Sequence, residues 1–188
     1  FSDFQQRHPR LRLNITTEIH FVDLEQEQVD IAIRLARPTH APNSLRIRKL
    51  GNVPVNAFAS RDYLTWMARE HDDGRSPGHR VLAMSLAFSH GDHNFAFSEL
   101  DVADFGLSGE VVTWSDSFPV LAGLCELGRG IALLPSALAR DHPGLVPVSN
   151  QQAEIQAELW MISRFDLRAA WQQDLAHLLQ TELAGWKP

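Results

Sequence analysis

Apolar positions along this chain recur with two periods, and the alternation between them lays out strands and helices in turn. Leu11, Leu13 and Ile15 alternate with Arg12, Asn14 and Thr16, the two-residue period of a strand with one polar face, so residues 11–15 are predicted as a strand. Before it, Phe1 and Phe4 lead to Arg7-His8-Pro9, the tail of a helix that Pro9 closes. A short helix over residues 21–28 and a strand over residues 29–34 follow. So short a crossover makes a parallel pair, which puts Thr17, Glu18 and His20 on the same rim as Arg34 and Arg37, two guanidinium forks that can pair with a carboxylate ligand or simply satisfy local acids such as Glu18. Residues 45–50, with Arg46, Arg48 and Lys49 outward, read as an edge strand, and residues 53–59 as another. Ser60 caps a helix over residues 61–69, and residues 70–79 have the composition of a surface loop. Strands are expected at residues 80–85, 94–98 and 109–113, with a turn-rich connection over residues 100–108.

The densest signal lies in residues 113–135. Ser115, Asp116 and Ser117 are N-cap residue types, Pro119 is tolerated only in a first helical turn, and Phe118, Leu121, Ala122 and Cys125 follow helical spacing. A helix is therefore predicted from near Asp116 to Gly128, which can take the left-handed conformation that ends helices. Gly130 then lets the backbone turn into residues 131–134, a strand buried on both faces, before Pro135. A helix start carries unpaired N–H groups and partial positive charge; beside three side-chain oxygens it can hold an anion or a polar ligand group, although capping alone is the plainer use. Residues 136–140 form a helical turn, residues 145–148 an edge strand and residues 155–163 a further strand. Leu167, Trp171, Leu175, Leu178, Leu179 and Leu183 then mark one face of a long helix that Asp166 can cap.

Composition narrows the function classes. The 188 residues suffice for one ordinary domain or two small lobes. A formal net charge of −6 without a basic cluster gives no footprint for nucleic acid. The single Cys125 lies on an apolar helix face and reads as a buried small hydrophobe. No apolar run approaches the roughly 20 residues that span a membrane. His90-Gly91-Asp92-His93 is the one metal-like cluster, but its spacing is not fixed by a helix and no second cluster follows, so neither metal nor cofactor is expected. The nucleophile elbow, the zinc-binding helix, the phosphate loop and the dinucleotide fingerprint are absent, so an enzyme is not expected.

The run Ser115-Asp116-Ser117 … Gly128-Arg129-Gly130-Ile131-Ala132-Leu133-Leu134-Pro135 resembles the signature in the effector-binding domain of LysR-type transcriptional regulators. So do Phe1-x-x-Phe4 with Arg7-His8-Pro9, Val22-Asp23-Leu24 with Val29-Asp30-Ile31-Ala32-Ile33-Arg34, Ala57-Phe58-Ala59-Ser60-Arg61-Asp62-Tyr63-Leu64, and Gly144-Leu145-Val146-Pro147-Val148; together they run over nearly the whole chain. The resemblance implies an α/β, two-lobed periplasmic-binding-protein-like (type II) fold with two crossing hinge strands. Residues 1–59 and 161–188 would form lobe I and residues 60–160 lobe II; a winged helix-turn-helix and the first strand of lobe I would lie upstream. It implies a cytoplasmic homodimer or homotetramer that senses a small-molecule effector, anionic or aromatic, and reaches DNA only through that upstream domain. Thr17, Glu18, His20, Arg34, Ser60, Ser115, Asp116, Ser117 and Phe118 are the expected effector-binding residues, with Ser115, Asp116 and Ser117 facing Thr17, Glu18 and Arg34. Arg129 stands where the family has a small apolar residue. A solute-binding protein, an enzyme on the same fold with Asp116 or Glu18 as its reactive group, and a partner-binding module are the alternatives.

Overall fold

Pro9 cannot sit in a helix interior, and the first helix stops two residues short of it. In chain order the described elements are α1 (Ser2–Arg7), β1 (Ile31–Arg34), β2 (Leu45–Ser60), α2 (Arg61–Asp72), β3 (His79–Met84), a 3₁₀ turn (Val102–Phe105), β4 (Gly109–Ser115), α3 (Phe118–Glu126), β5 (Ile131–Pro135), α4 (Ser136–Ala139), β6 (Leu145–Pro147), β7 (Ile155–Arg164) and α5 (Ala170–Ala184). The computed structural model describes residues 2–17, 24, 28–35, 37, 43–72, 78–84, 101–148, 155–164 and 169–184. Two units divide the chain, Phe1–Asn52 with Glu158–Lys187, and Val53–Phe88 with Phe95–Ala157. Both β2 and β7 pass from one unit into the other.

In the first unit, β1 pairs antiparallel with β7 in the register Ile31↔Ser163 to Arg34↔Trp160. Phe4 of α1 is fully buried, and Asp174 of α5 ties the end of α1 down, accepting from Arg7 Nη1 at 3.1 Å and lying 2.9 Å from His8 Nε2. Leu175 on α5 is buried, with Trp171, Leu178 and Leu179 half-buried along the predicted stripe.

In the second unit, β3 is flanked by β4 and β5, both parallel to it, and β2 extends the sheet antiparallel to β5 and β6. The central strands are covered on both faces, which is why their sequences lack a polar period. On one face Phe58, Leu82, Ala132 and Leu134 pack with Leu121, Ala122 and Cys125 of α3. On the other, Ala59, Val81 and Ile131 pack with Tyr63 of α2 and Val102 of the 3₁₀ turn. Successive residues of one strand thus serve opposite layers.

Several expectations change. Residues 11–15 keep an alternation, with Leu11 and Leu13 half-buried, but form no strand, and Ile15 is 72% exposed. The expected parallel partner of β1 is therefore missing among the described residues; its neighbour is the antiparallel β7. Period two records which side chains face inward and does not guarantee a ladder. Leu24 and Gln28 lie in turns, and the rest of the expected helix over residues 21–28 falls outside the described residues, apart from those two. The two strands expected over residues 45–59 are one, because Pro54 fits extended backbone and the partner changes along the strand, with Val55 opposite Pro135 and Ser60 opposite Leu145. The turn-rich connection contains the 3₁₀ turn, started by a capping box in which Asp101 and Asp104 bond each other's backbone N–H. The helix expected from Leu167 starts at Ala170, and its cap Asp166 lies outside the described residues, as do the strand over residues 94–98 and the cluster His90-Gly91-Asp92-His93.

Candidate functional site

Strand β4 runs two residues further than expected, through Trp114 and Ser115, and α3 begins at Phe118. Of the three N-cap candidates it is Ser117 that caps, with extended dihedrals of φ −126° and ψ 115°. Its carbonyl accepts from Leu121 N–H at 3.0 Å, but its hydroxyl makes no capping bond. Ser115 Oγ instead accepts the Ser117 N–H at 3.2 Å, bracing the bend from strand to helix. Pro119 in the first turn has no N–H to satisfy. Asp116 stands exposed beside this first helical turn.

This polar start lies at the carboxyl ends of parallel strands, since Ser115 is in register with Met84, the last residue of β3. In open α/β sheets that is the edge where ligands are held. Phe118 is half-buried and packs with Met84 against the core under α3, so it anchors the start of the helix.

The far end of α3 is built differently. Glu126 Oε2 lies 2.8 Å from His142 Nδ1, and Oε1 accepts the Gly144 N–H at 3.1 Å. The hydrogen bond from His142, then that from Gly144, holds the Glu126 carboxyl below its usual range. Gly128 takes φ 72°, the left-handed conformation expected there, and a Cβ on Gly130 would lie 2.3 Å from the Arg80 carbonyl oxygen. Cys125 is fully buried; its thiol donates to Phe58 O at 3.1 Å, with Gly130 O at 3.4 Å, and desolvation pushes it up to about 12.

Ser115, Asp116, Ser117 and Phe118 are thus brought together. Ser60, 5% exposed, is not with them: its Oγ accepts Tyr63 N–H at 3.2 Å, capping α2, and lies next to Gly128 at the other end of α3. In the first unit Thr17 is exposed, Arg34 ends β1 half-buried and engaged, and Glu18 and His20 lie outside the described residues. A second group there was not anticipated. Glu158 and Trp160 of β7 share one face with Lys49 of β2, Trp160 Nε1–H donating to Glu158 Oε2 at 3.1 Å and Lys49 Nζ to Oε1. Its signal in the sequence is Glu-x-Trp at alternate positions of a strand. Among the described residues no three His, Cys, Asp or Glu side chains gather as metal ligands, and no helix is long and apolar enough to cross a membrane.

Residues 1–184 match the family described as LysR substrate binding domain. The fold is similar to the regulatory domain of CrgA, a LysR-type transcriptional regulator from Neisseria meningitidis, with TM-score 0.71 and 20% identity over 97% of this chain and 89% of that one. It is similar to the effector domain of the transcriptional regulator AmpR of Pseudomonas aeruginosa, with TM-score 0.65 and 20% identity over 98% and 85%. Against full-length AphB, the Vibrio cholerae virulence activator, the values are 0.64 and 19%, covering 96% of this chain and 61% of that chain. No curated protein matches the chain.

Proposed function

Because the chain belongs to the family of LysR substrate-binding domains, we propose that it binds a small-molecule effector between two lobes, residues 1–59 with 161–188 and residues 60–160. Ser115, Asp116 and Ser117 serve the effector from one lobe, and Thr17, Glu18, His20 and Arg34 from the other. The observation that carries this reading is the start of α3: a cap residue whose hydroxyl makes no capping bond, at the carboxyl edge of a parallel sheet. Ser60 stands apart from this group and caps α2, its O–H still able to donate.

The effector acts by population shift. It changes the lobe arrangement only as far as its affinity differs between the two states. The change passes to other copies in a homodimer or homotetramer, and to DNA through a winged helix-turn-helix outside this chain, in the cytoplasm. Exposed apolar side chains support the oligomer: Ile15 in the segment after α1, Val120 on α3 and Leu127 at its C-terminal cap, the last 71% exposed. The test is a calorimetric titration with any effector found by thermal-shift screening. Ser117→Ala and Arg34→Ala should each weaken binding by about 1 to 3 kcal/mol; parent-like affinity in both rejects the site.

A further inference from the structure

Strands β2 and β7 are neighbours in the sheet, and the border between the units falls between Asn52 and Val53 on β2 and between Ala157 and Glu158 on β7. Any movement of one unit against the other is taken up by the backbone at these two places, since hinges absorb motion in a few residues. Beside the border, on the first-unit side, a run of side chains crosses from one strand to the other. Glu158 is the first residue of β7 in the first unit; its Oε1 accepts from Lys49 Nζ of β2, and its Oε2 from Trp160 Nε1 at 3.1 Å. The guanidinium carbon of Arg37 stands over the Trp160 ring, 5.4 Å from its centroid, and Arg34, in register with Trp160 on β1, has contacts of its own. The hydrogen bonds from Lys49 and Trp160, reinforced by the charges of Lys49 and Arg37, keep the Glu158 carboxyl below its usual range. Glu158 is therefore an anion at neutral pH with a donor on each of its oxygens.

We propose that Lys49, Glu158 and Trp160 form a brace across the two crossing strands that limits how far the units move against each other. A lone ion pair on a surface is weak, because two long side chains must be ordered to make it. Here the half-buried Trp160 already orients the Glu158 carboxylate, so only the freedom of Lys49 is lost when the strands are tied. The pair joins the strands four residues before the border on β2 and one residue after it on β7, close enough to resist their twisting apart. An effector that changes the arrangement of the units works against this resistance, so the brace sets how much differential affinity a given shift requires. The brace goes beyond effector binding and does not depend on it.

The test uses the chain without ligand, so a failure to find an effector leaves it untouched. Hydrogen exchange of peptides covering residues 47–56 and 154–161 should run about two- to fivefold faster in Glu158→Gln and in Lys49→Met, while β5 exchanges as in the parent. The double variant should go no further than either single one, because both remove the same bond. Trp160→Phe keeps a ring under Arg37 but loses the Nε1–H, and should give a smaller increase. Spin labels at Arg69→Cys on α2 and Glu182→Cys on α5, exposed positions in different units, report the distance between the units; the buried, protonated Cys125 stays unlabelled. That distance should spread more widely in both single variants, and in the parent at about 1 M salt, which screens the pair. Arg48→Ala, which removes the hydrogen bond to Gln180 from the same strand, should match the parent in both readouts. Parent-like exchange and distances in Glu158→Gln and Lys49→Met overturn the proposal. So does exchange that rises equally in β5, which marks a general loss of stability, or an equal spread of distances in Arg48→Ala.

Discussion

The two ends of α3 are made from equally polar stretches and used in opposite ways. At the far end Glu126 and Cys125 both have structural partners: Glu126 has His142 and the Gly144 amide, and the Cys125 thiol has the carbonyls of Phe58 and Gly130. At the near end Ser115 bonds the Ser117 backbone, and the cap hydroxyl makes no bond to the helix. The polar fixing of the helix thus lies mainly at its C-terminal end, while Phe118 and the inner face of Leu121, Ala122 and Cys125 pack on the sheet. The Ser117 hydroxyl is then released from capping, which is what a ligand contact requires.

Substitutions at the two ends sharpen this contrast. The largest effect belongs to Gly130→Ala, which drives a methyl against the Arg80 backbone; chemical denaturation should show a loss of about 2 to 3 kcal/mol. Next comes Glu126→Gln, whose effect depends on pH. The folded state depresses the Glu126 carboxyl, so its contribution is present above the ordinary value of 4.5 and fades as pH falls below it through the folded value. Denaturation at neutral pH should find the parent more stable than the variant, with the gap closing in acid; a gap that is constant with pH would mean that the His142 and Gly144 contacts contribute nothing. The smallest effect is expected for Ser117→Ala. Losing a working cap costs about 1 kcal/mol, but this hydroxyl makes no such bond, so the change in stability should stay under about 0.5 kcal/mol. A full capping loss there would erase the difference between the ends.

What the sequence made legible follows the same division. The doubly buried β5 was readable because an apolar run bracketed by Gly130 and Pro135 has few other homes. The start of α3 was placed two residues early, because Ser115, Asp116 and Ser117 are all capping types and only the dihedrals show which one caps. Residues 11–15 carry a strand's alternation without a strand's partner, and partners are a property of the fold. Glu126 and His142 are 16 residues apart, and nothing local announces their contact. The group around Trp160 joins three separate segments; Arg37 stood out in the sequence as a cation at a strand end, but its place over the Trp160 ring is a property of the fold.

The buried thiol has a practical corollary. Cys125 is the only cysteine of the chain, and at neutral pH it is a shielded, protonated group. A cysteine introduced at an exposed position such as Asp116 would be the sole reactive handle, so a fluorophore or spin label could be attached beside the start of α3 without first engineering away the native residue.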